Sequence, residues 1–413
     1  MKKLILIIFI NFSLNAQVQI EKILETMEIS EYNRWVKKNK EKYPELEPAY
    51  IVIKGIKDGK YRQDAPFTLY PPPDEPSVTQ YEIEYYDEDG NLFKKEIVSG
   101  YVSVYSLRGY TVVHNLQYDL TPQYLMITRE NHPSEFATLR ICTIKNRFGD
   151  TVFNWDDGRE ILYFGNDLFT EFYKSERPSD TTTIRILNSE KKEIAKLKNI
   201  GELREILRMP DGKYLFCTAR GIHVISSDFK KILWCYKRRR FEYLRAYNST
   251  QYLAFGMQGK IFVYTFDGKL IHTYNLGETR DAPIAFFVED GKYILAKLKE
   301  EMFYFDNINF KKLWNKKIIC GPKIVHSLKG GKYLLCVAIT HAMLIDAETG
   351  DVLNNIKFPL ETELSSRITK EGKSIQELVP VGNIRHTLIG KHLIVIQKKY
   401  ENINKIIVYE INE

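Results

Sequence analysis

The chain has 413 residues, 13% of them aromatic, and 60 Lys and Arg against 53 Asp and Glu give a formal net charge of +7. That length is ample for one closed repeat domain with a buried core, and the 27 Tyr and 22 Phe suit strands and sheet packing. The positive excess is too small for a nucleic-acid footprint, so no nucleic-acid partner is expected.

Residues 1–16 read as a signal peptide: Lys2 and Lys3, an apolar run from Leu4 to Ile10, then Ala16 as a small residue before Gln17. The run is too short to span a bilayer and no other stretch approaches about 20 apolar residues, so no transmembrane segment is expected. Without Lys2 and Lys3 the net charge becomes +5. The expected location is extracytoplasmic, periplasmic or secreted. Cys142, Cys217, Cys235, Cys320 and Cys336 are odd in number and match no metal or disulfide spacing. They read as thiols used as small hydrophobes.

Residues 17–48 form an N-terminal helical segment on this reading. Ile20, Ile23, Leu24, Met27 and Trp35 recur at three-to-four spacing, and the pattern ends before Pro44. Such a helix packs on its own domain or serves a partner. Pro71-Pro72-Pro73 and Pro76 mark a stiff linker.

Residues 49–413 carry a repeat. Gly212-Lys213-Tyr214, Gly291-Lys292-Tyr293 and Gly331-Lys332-Tyr333 each open an apolar run, with looser copies at Thr250-Gln251-Tyr252 and Gly390-Lys391-His392. From Gly212 the steps are 38, 41, 40 and 59 residues. A period near forty, filled with short strands, is the signature of an all-β fold, the β-propeller. One copy shows the unit. Leu203–Arg208, Lys213–Ala219, Ile222–Ser226 and Ile232–Lys237 are four strands, separated by Met209-Pro210-Asp211-Gly212 and by further turns. Six such units run from residue 100 to residue 358.

The last segment supplies strands at Ile384–Ile389, His392–Lys398 and Ile406–Ile411 and stops one strand short. An N-terminal strand that completes it would close the ring and leave no free edge. Seven blades of four antiparallel strands result. Eight result if Ala49–Ile56 starts a further blade ahead of the hairpin around Glu88-Asp89-Gly90. Residues 359–380 are an inter-blade insertion, expected to be a surface loop.

Leu344-Ile345-Asp346-Ala347-Glu348-Thr349-Gly350 resembles the repeat of pyrroloquinoline-quinone-type propellers, Asp-Ala-x-Thr-Gly-x-x-x-Trp. WD-repeat propellers share the same hairpin logic. In the quinoprotein family the Trp docks between adjacent blades, a role the resemblance implies for Trp155, Trp234 and Trp314. Asn354 and His272 stand at that place in two copies, so the girdle is incomplete. The adjacent cysteines of the quinone-dependent enzymes are missing, so no cofactor is expected. The resemblance implies fold and export more than redox chemistry. Non-enzymatic members act as scaffolds, some in outer-membrane protein assembly.

Two groups of residues are candidate sites. On the repeat alignment Arg204, Arg245, His326 and Arg385 lie on first strands, which line the channel of a propeller, and basic groups at its mouth would attract an anionic ligand. Alternatively they hydrate the channel or pair with acids such as Glu242. Arg238, Arg239 and Arg240, after Lys237, form the densest positive run and are either a partner surface or a solvated loop. Asp87-Glu88-Asp89-Gly90-Asn91 lacks the spacing of a calcium loop and reads as a turn. No metal-ligand or nucleophile signature is found; Gly372-Lys373-Ser374 lacks the upstream Gly of a phosphate loop. The sequence therefore points to an exported scaffold that binds a protein or glycan partner through its rim and loop face. The rival is a hydrolase, lyase or quinone-dependent oxidoreductase at the channel mouth.

Overall fold

The computed structural model describes residues 18–56, 80–99, 102–107, 124–134, 137–155 and most of 160–413. The signal segment, the proline-rich linker and Lys237–Arg240 lie outside them. The described residues are nearly all β, with one helix, α1, at Ile29–Lys38. Among them are eight antiparallel sheets of three or four strands and one separate hairpin.

In chain order, sheet I is Ile51–Ile56, Gln80–Tyr86 and Leu92–Ser99. Sheet II is Val102–Leu107, Tyr124–Ser134, Ala137–Asn146 and Thr151–Trp155; sheet III is Glu160–Tyr163, Leu168–Phe172, Thr183–Asn188 and Glu193–Lys198. Sheet IV is Leu203–Arg208, Tyr214–Thr218, Gly221–Ile225 and Ile232–Tyr236; sheet V is Tyr243–Tyr247, Gln251–Gly256, Lys260–Thr265 and Leu270–Asn275. Sheet VI is Ile284–Val288, Tyr293–Leu298, Glu301–Asp306 and Lys311–Lys317; sheet VII is Ile324–Leu328, Tyr333–Val337, His341–Asp346 and Val352–Lys357. Sheet VIII joins Asn383–Ile389, His392–Lys399 and Asn402–Asn412 to Gln19–Thr26.

Two expectations need correction. The first turns of the N-terminal helical segment are a strand: Ile20 pairs with Ile411 and Leu24 with Val408. A bulge at Ile23 breaks the period-two alternation. Ile20 therefore packs against sheet VII, while Ile23 and Leu24 turn to the opposite face. A bulged strand thus yields the same three-and-four spacing as a helix. The insertion expected to be a loop is instead the hairpin Thr362–Ile368 with Ser374–Pro380.

Successive sheets share apolar cores. Ile53 and Ile83 of sheet I meet Leu125 and Ile127 of sheet II, and Phe153 of sheet II meets Phe169 of sheet III. Ile184 of sheet III packs with Phe216 of sheet IV, and Leu253 of sheet V with Ile294 of sheet VI. Met302 joins Met343 across sheets VI and VII, and Leu344 joins Val395 across VII and VIII. A further cluster holds Ile394 and Val408 of sheet VIII with Val52 and Tyr86 of sheet I. Each buried aliphatic or aromatic side chain contributes roughly 1.5–3 kcal/mol, so these shared layers hold neighbouring sheets together.

The two outermost strands of every sheet slip register by one residue. The extra residues are Phe93, Val152, Ile194, Leu233, Ile271, Leu313, Leu353 and, in sheet VIII, Ile23. In sheets I, II, V and VI the side chain after the bulge meets the following sheet, whereas Asn354 of sheet VII is exposed. Trp314 donates its indole N–H to the Ala347 carbonyl at 2.8 Å and packs on Gly350. His272 stacks on Phe310 with centroids 4.5 Å apart, and Lys94 donates to the Gly149 carbonyl at 2.8 Å. Gly149, Phe310 and Gly350 are the left-handed residues of equivalent turns, at φ 78°, 53° and 74°. Inter-sheet contacts of varied chemistry thus stand at this place in sheets I, V and VI, and the girdle is incomplete at Asn354, as expected. In sheet II the register gives Phe153 that place, in contrast to the role expected of Trp155, which pairs with Cys142 two residues on.

Candidate interaction surface

The hairpin between sheets VII and VIII is held at its base by one buried amide. Gln397, on the second strand of sheet VIII, is 0% exposed. Its Nε2 donates to the carbonyls of Glu361 at 2.8 Å and Val381 at 2.9 Å, and its Oε1 accepts the Glu361 N–H at 2.9 Å. The Val381 N–H closes the base on the Glu361 carbonyl at 2.9 Å, and Lys405 donates to the Pro359 carbonyl at 2.7 Å. A side chain that satisfies three backbone groups fixes where the two strands leave the fold.

Beyond that base the hairpin presents apolar side chains. Leu364 and Leu378 are directly paired across it and are 63% and 69% exposed. Glu363 and Gln376 beside them are exposed as well. Leu364 and Leu378 are more exposed than the bulge residues Phe93, Ile194, Leu233, Leu313 and Leu353, which are 43–49% exposed.

At the other end of sheet VIII the N-terminal segment covers the joint with sheet I. Helix α1 buries Ile29, Tyr32, Asn33 and Val36, a stripe at helical spacing, and carries Glu31 in its first turn and Lys37 and Lys38 in its last. Asn33 accepts the Ala49 N–H at 2.8 Å and donates to the Gly90 carbonyl at 3.4 Å, which ties the helix to sheet I. On the same face of sheet I, Glu84 is buried between Lys54 at 2.7 Å and Lys95 at 2.6 Å. Burial raises its pKa, but hydrogen bonds from Lys54, Lys95 and Tyr86 outweigh this and hold the carboxyl at about 2.

The channel-mouth candidates all lie on first strands, one per sheet. Arg204 and Arg245 occupy bulges in the first strands of sheets IV and V, each skipped in the register. His326 of sheet VII is half-buried opposite Leu335, and Arg385 of sheet VIII is exposed opposite Ile396. The first strands of sheets V, VI and VII are neighbours, and Ile324 and Ile384 pack in the cluster shared by VII and VIII. The four positions thus share the first-strand place in their own sheets; the side chains of Arg204 and Arg245 lie outside the described set. Arg238, Arg239 and Arg240 lie outside the described residues altogether.

Sequence reasoning missed the hairpin and Gln397. Thr362–Ile368 is polar apart from Leu364 and Ile368, and a lone Gln in an apolar strand is equally silent. It also passed over His386 on the first strand of sheet VIII. Its Nε2–H donates to the Ile339 carbonyl of sheet VII at 3.1 Å, and its ring lies beside Phe358. Burial pushes its pKa down to about 4, helped by Lys323 and opposed by the Ile339 hydrogen bond. Cys320 and Cys336 are free thiols, and burial pushes the Cys320 pKa up to about 11. Asp87 accepts the N–H groups of Asp89 and Asn91, a turn as expected. Among the described residues no His, Cys, Asp and Glu side chains gather as a metal-binding group, and no helix is long and apolar enough to cross a membrane.

No protein-family model matches the sequence, and no characterised protein matches it by sequence. Among solved structures the chain is similar to BamB from Moraxella catarrhalis, at 12% identity over 87% of this chain and 98% of that one, with a TM-score of 0.47. It is also similar to the WD40 domain of coronin from Toxoplasma gondii, at 10% identity over 76% and 87% of the two chains, with a TM-score of 0.45.

Proposed function

We propose that the chain is an exported, closed propeller of eight sheets that serves as a scaffold and binds a protein partner through the hairpin Thr362–Pro380. The observation that carries this reading is the exposed pair Leu364 and Leu378 on a hairpin whose base is fixed by buried Gln397. A surface held rigid before binding loses little conformational freedom on association. Aliphatic side chains at the centre of such a patch suit an apolar protein surface better than a glycan. The closed ring is supported by seven shared cores, the last joining sheet VIII to sheet I, and by the eight equivalent bulges. Export rests on the order of charged, apolar and small residues in segment 1–16.

A photo-crosslinking residue placed at position 364 or 378 in producing cells tests the binding surface. A discrete protein adduct is expected from both positions and none from position 353, an exposed bulge leucine on sheet VII. Absence of adducts, or the same adducts from all three positions, overturns the reading.

A further inference from the structure

We propose that the docking of residues 29–49 onto sheets VIII and I is a pH-operated latch with His392 as its trigger. His392 stands where the other repeats place Tyr214, Tyr252, Tyr293 and Tyr333. In sheets IV, V and VI the equivalent tyrosine stacks within its own sheet region, on Phe229, Tyr264 and Tyr304. In sheet VIII the imidazole instead meets the edge of Tyr43, from the docked segment, with centroids 4.8 Å apart. Among these five repeats, the one covered by the N-terminal segment is thus the one whose ring titrates near neutral pH.

His392 is 0% exposed. Its Nδ1 lies 2.9 Å from Oε1 of Glu45, also on the docked segment, and neither ring nitrogen has a well-formed hydrogen bond. The charged groups around it come from both sides. The docked segment contributes Glu45 and Lys42, with Tyr43; sheet VIII contributes Lys391 and Glu410, and Glu21 on the adjoining strand acts on Lys42. Glu410 is already engaged by Lys391 at 2.5 Å and by the Tyr43 hydroxyl at 3.3 Å. A protonated imidazole therefore has Glu45 as its acceptor on one side and a buried N–H without one on the other. Leaving such a donor unsatisfied, with charge, is costly.

Burial holds the imidazole below its ordinary range, against the pull of Glu45 and Glu410. The released segment would let His392 take up a proton at its ordinary pKa of about 6.5. Docking is then complete above about pH 6.5 and weakens as the pH falls below it. Release uncovers Ile394, Ile396, Ile406 and Val408 of sheet VIII beneath the segment.

Hydrogen exchange of the full chain between pH 7.5 and 5 tests this. The expected result is that amide protection factors in residues 29–49 fall by up to about tenfold per pH unit below about 6.5. In a His386→Leu background, which removes the imidazole buried between sheets VII and VIII, those of sheets VI and VII hold their values. His392→Tyr, which restores the repeat residue, and His392→Gln each flatten the response. The proposal is overturned if protection in residues 29–49 is constant to pH 5, if all sheets lose protection together, or if either folded variant keeps the wild-type slope.

Discussion

Trp314 and Ala347 belong to different sheets, yet the indole N–H of one meets the carbonyl of the other at 2.8 Å while the ring lies flat on Gly350. A Cβ added at Gly350 would come within 2.8 Å of that ring, and its φ of +74° disfavours any side chain. The pair is therefore a lock whose two halves were shaped for each other. Trp314→Phe should cost about 1–3 kcal/mol by leaving the buried carbonyl unpaired. Gly350→Ala should also destabilise, and less so when Trp314 is already Ala. Urea unfolding of the double-mutant cycle measures the coupling; strict additivity would mean that the two do not act as a unit.

The strand Gln19–Thr26 covers an edge of sheet VIII along Ile406–Asn412. Its removal should leave that edge open to other chains. A protein lacking residues 17–26 is expected to self-associate, and light scattering should show species larger than those of the full chain at equal concentration. An unchanged size distribution would show that the strand is dispensable.

Gln397→Leu removes three hydrogen bonds to the hairpin base and leaves buried backbone groups unpaired, at a cost of about 1–3 kcal/mol. The effect should be local. Amides of Thr362–Ile368 and Ser374–Pro380 should exchange faster, while those of sheets V and VI keep their rates. Equal loss across the protein would place Gln397 in the general core instead.

His386 gives stability a pH dependence. Its pKa is about 4 in the folded chain and ordinary, near 6.5, when unfolded, so the unfolded state binds more protons in between. Its contribution is whole above about pH 6.5 and is lost as the pH falls toward 4, by at most about 3 kcal/mol. Chemical denaturation at pH 7, 5.5 and 4 should show this decline, and His386→Leu should reduce it. A variant with the wild-type decline would assign the effect to other groups.

The repeat made much of this fold readable. Gly-Lys-Tyr phrases mark the second strands, and the turns at Met209–Gly212 and Asp346–Gly350 fall where their Gly and Asp residues place them. The three strands at Ile384–Ile411 also announced a missing fourth, but its position was hidden. The bulge at Ile23 gives Gln19–Thr26 the spacing of a helix, and pairing with a strand at the far end of the chain leaves no local trace. The alternative first strand at Ala49–Ile56 corresponds to Ile51–Ile56 of sheet I. The candidate surface was less legible. Its composition is polar, and the leucines matter because they are left uncovered, a property of packing that a residue pattern does not encode.

Sheet VIII also sets an order of events. Ile20 cannot find Ile411 until the chain through Ile411 has been made and, on the proposed route, has crossed the membrane. Until then the first strand has no partner. Any product that stops before Ile406 leaves Gln19–Thr26 without the strand it pairs with.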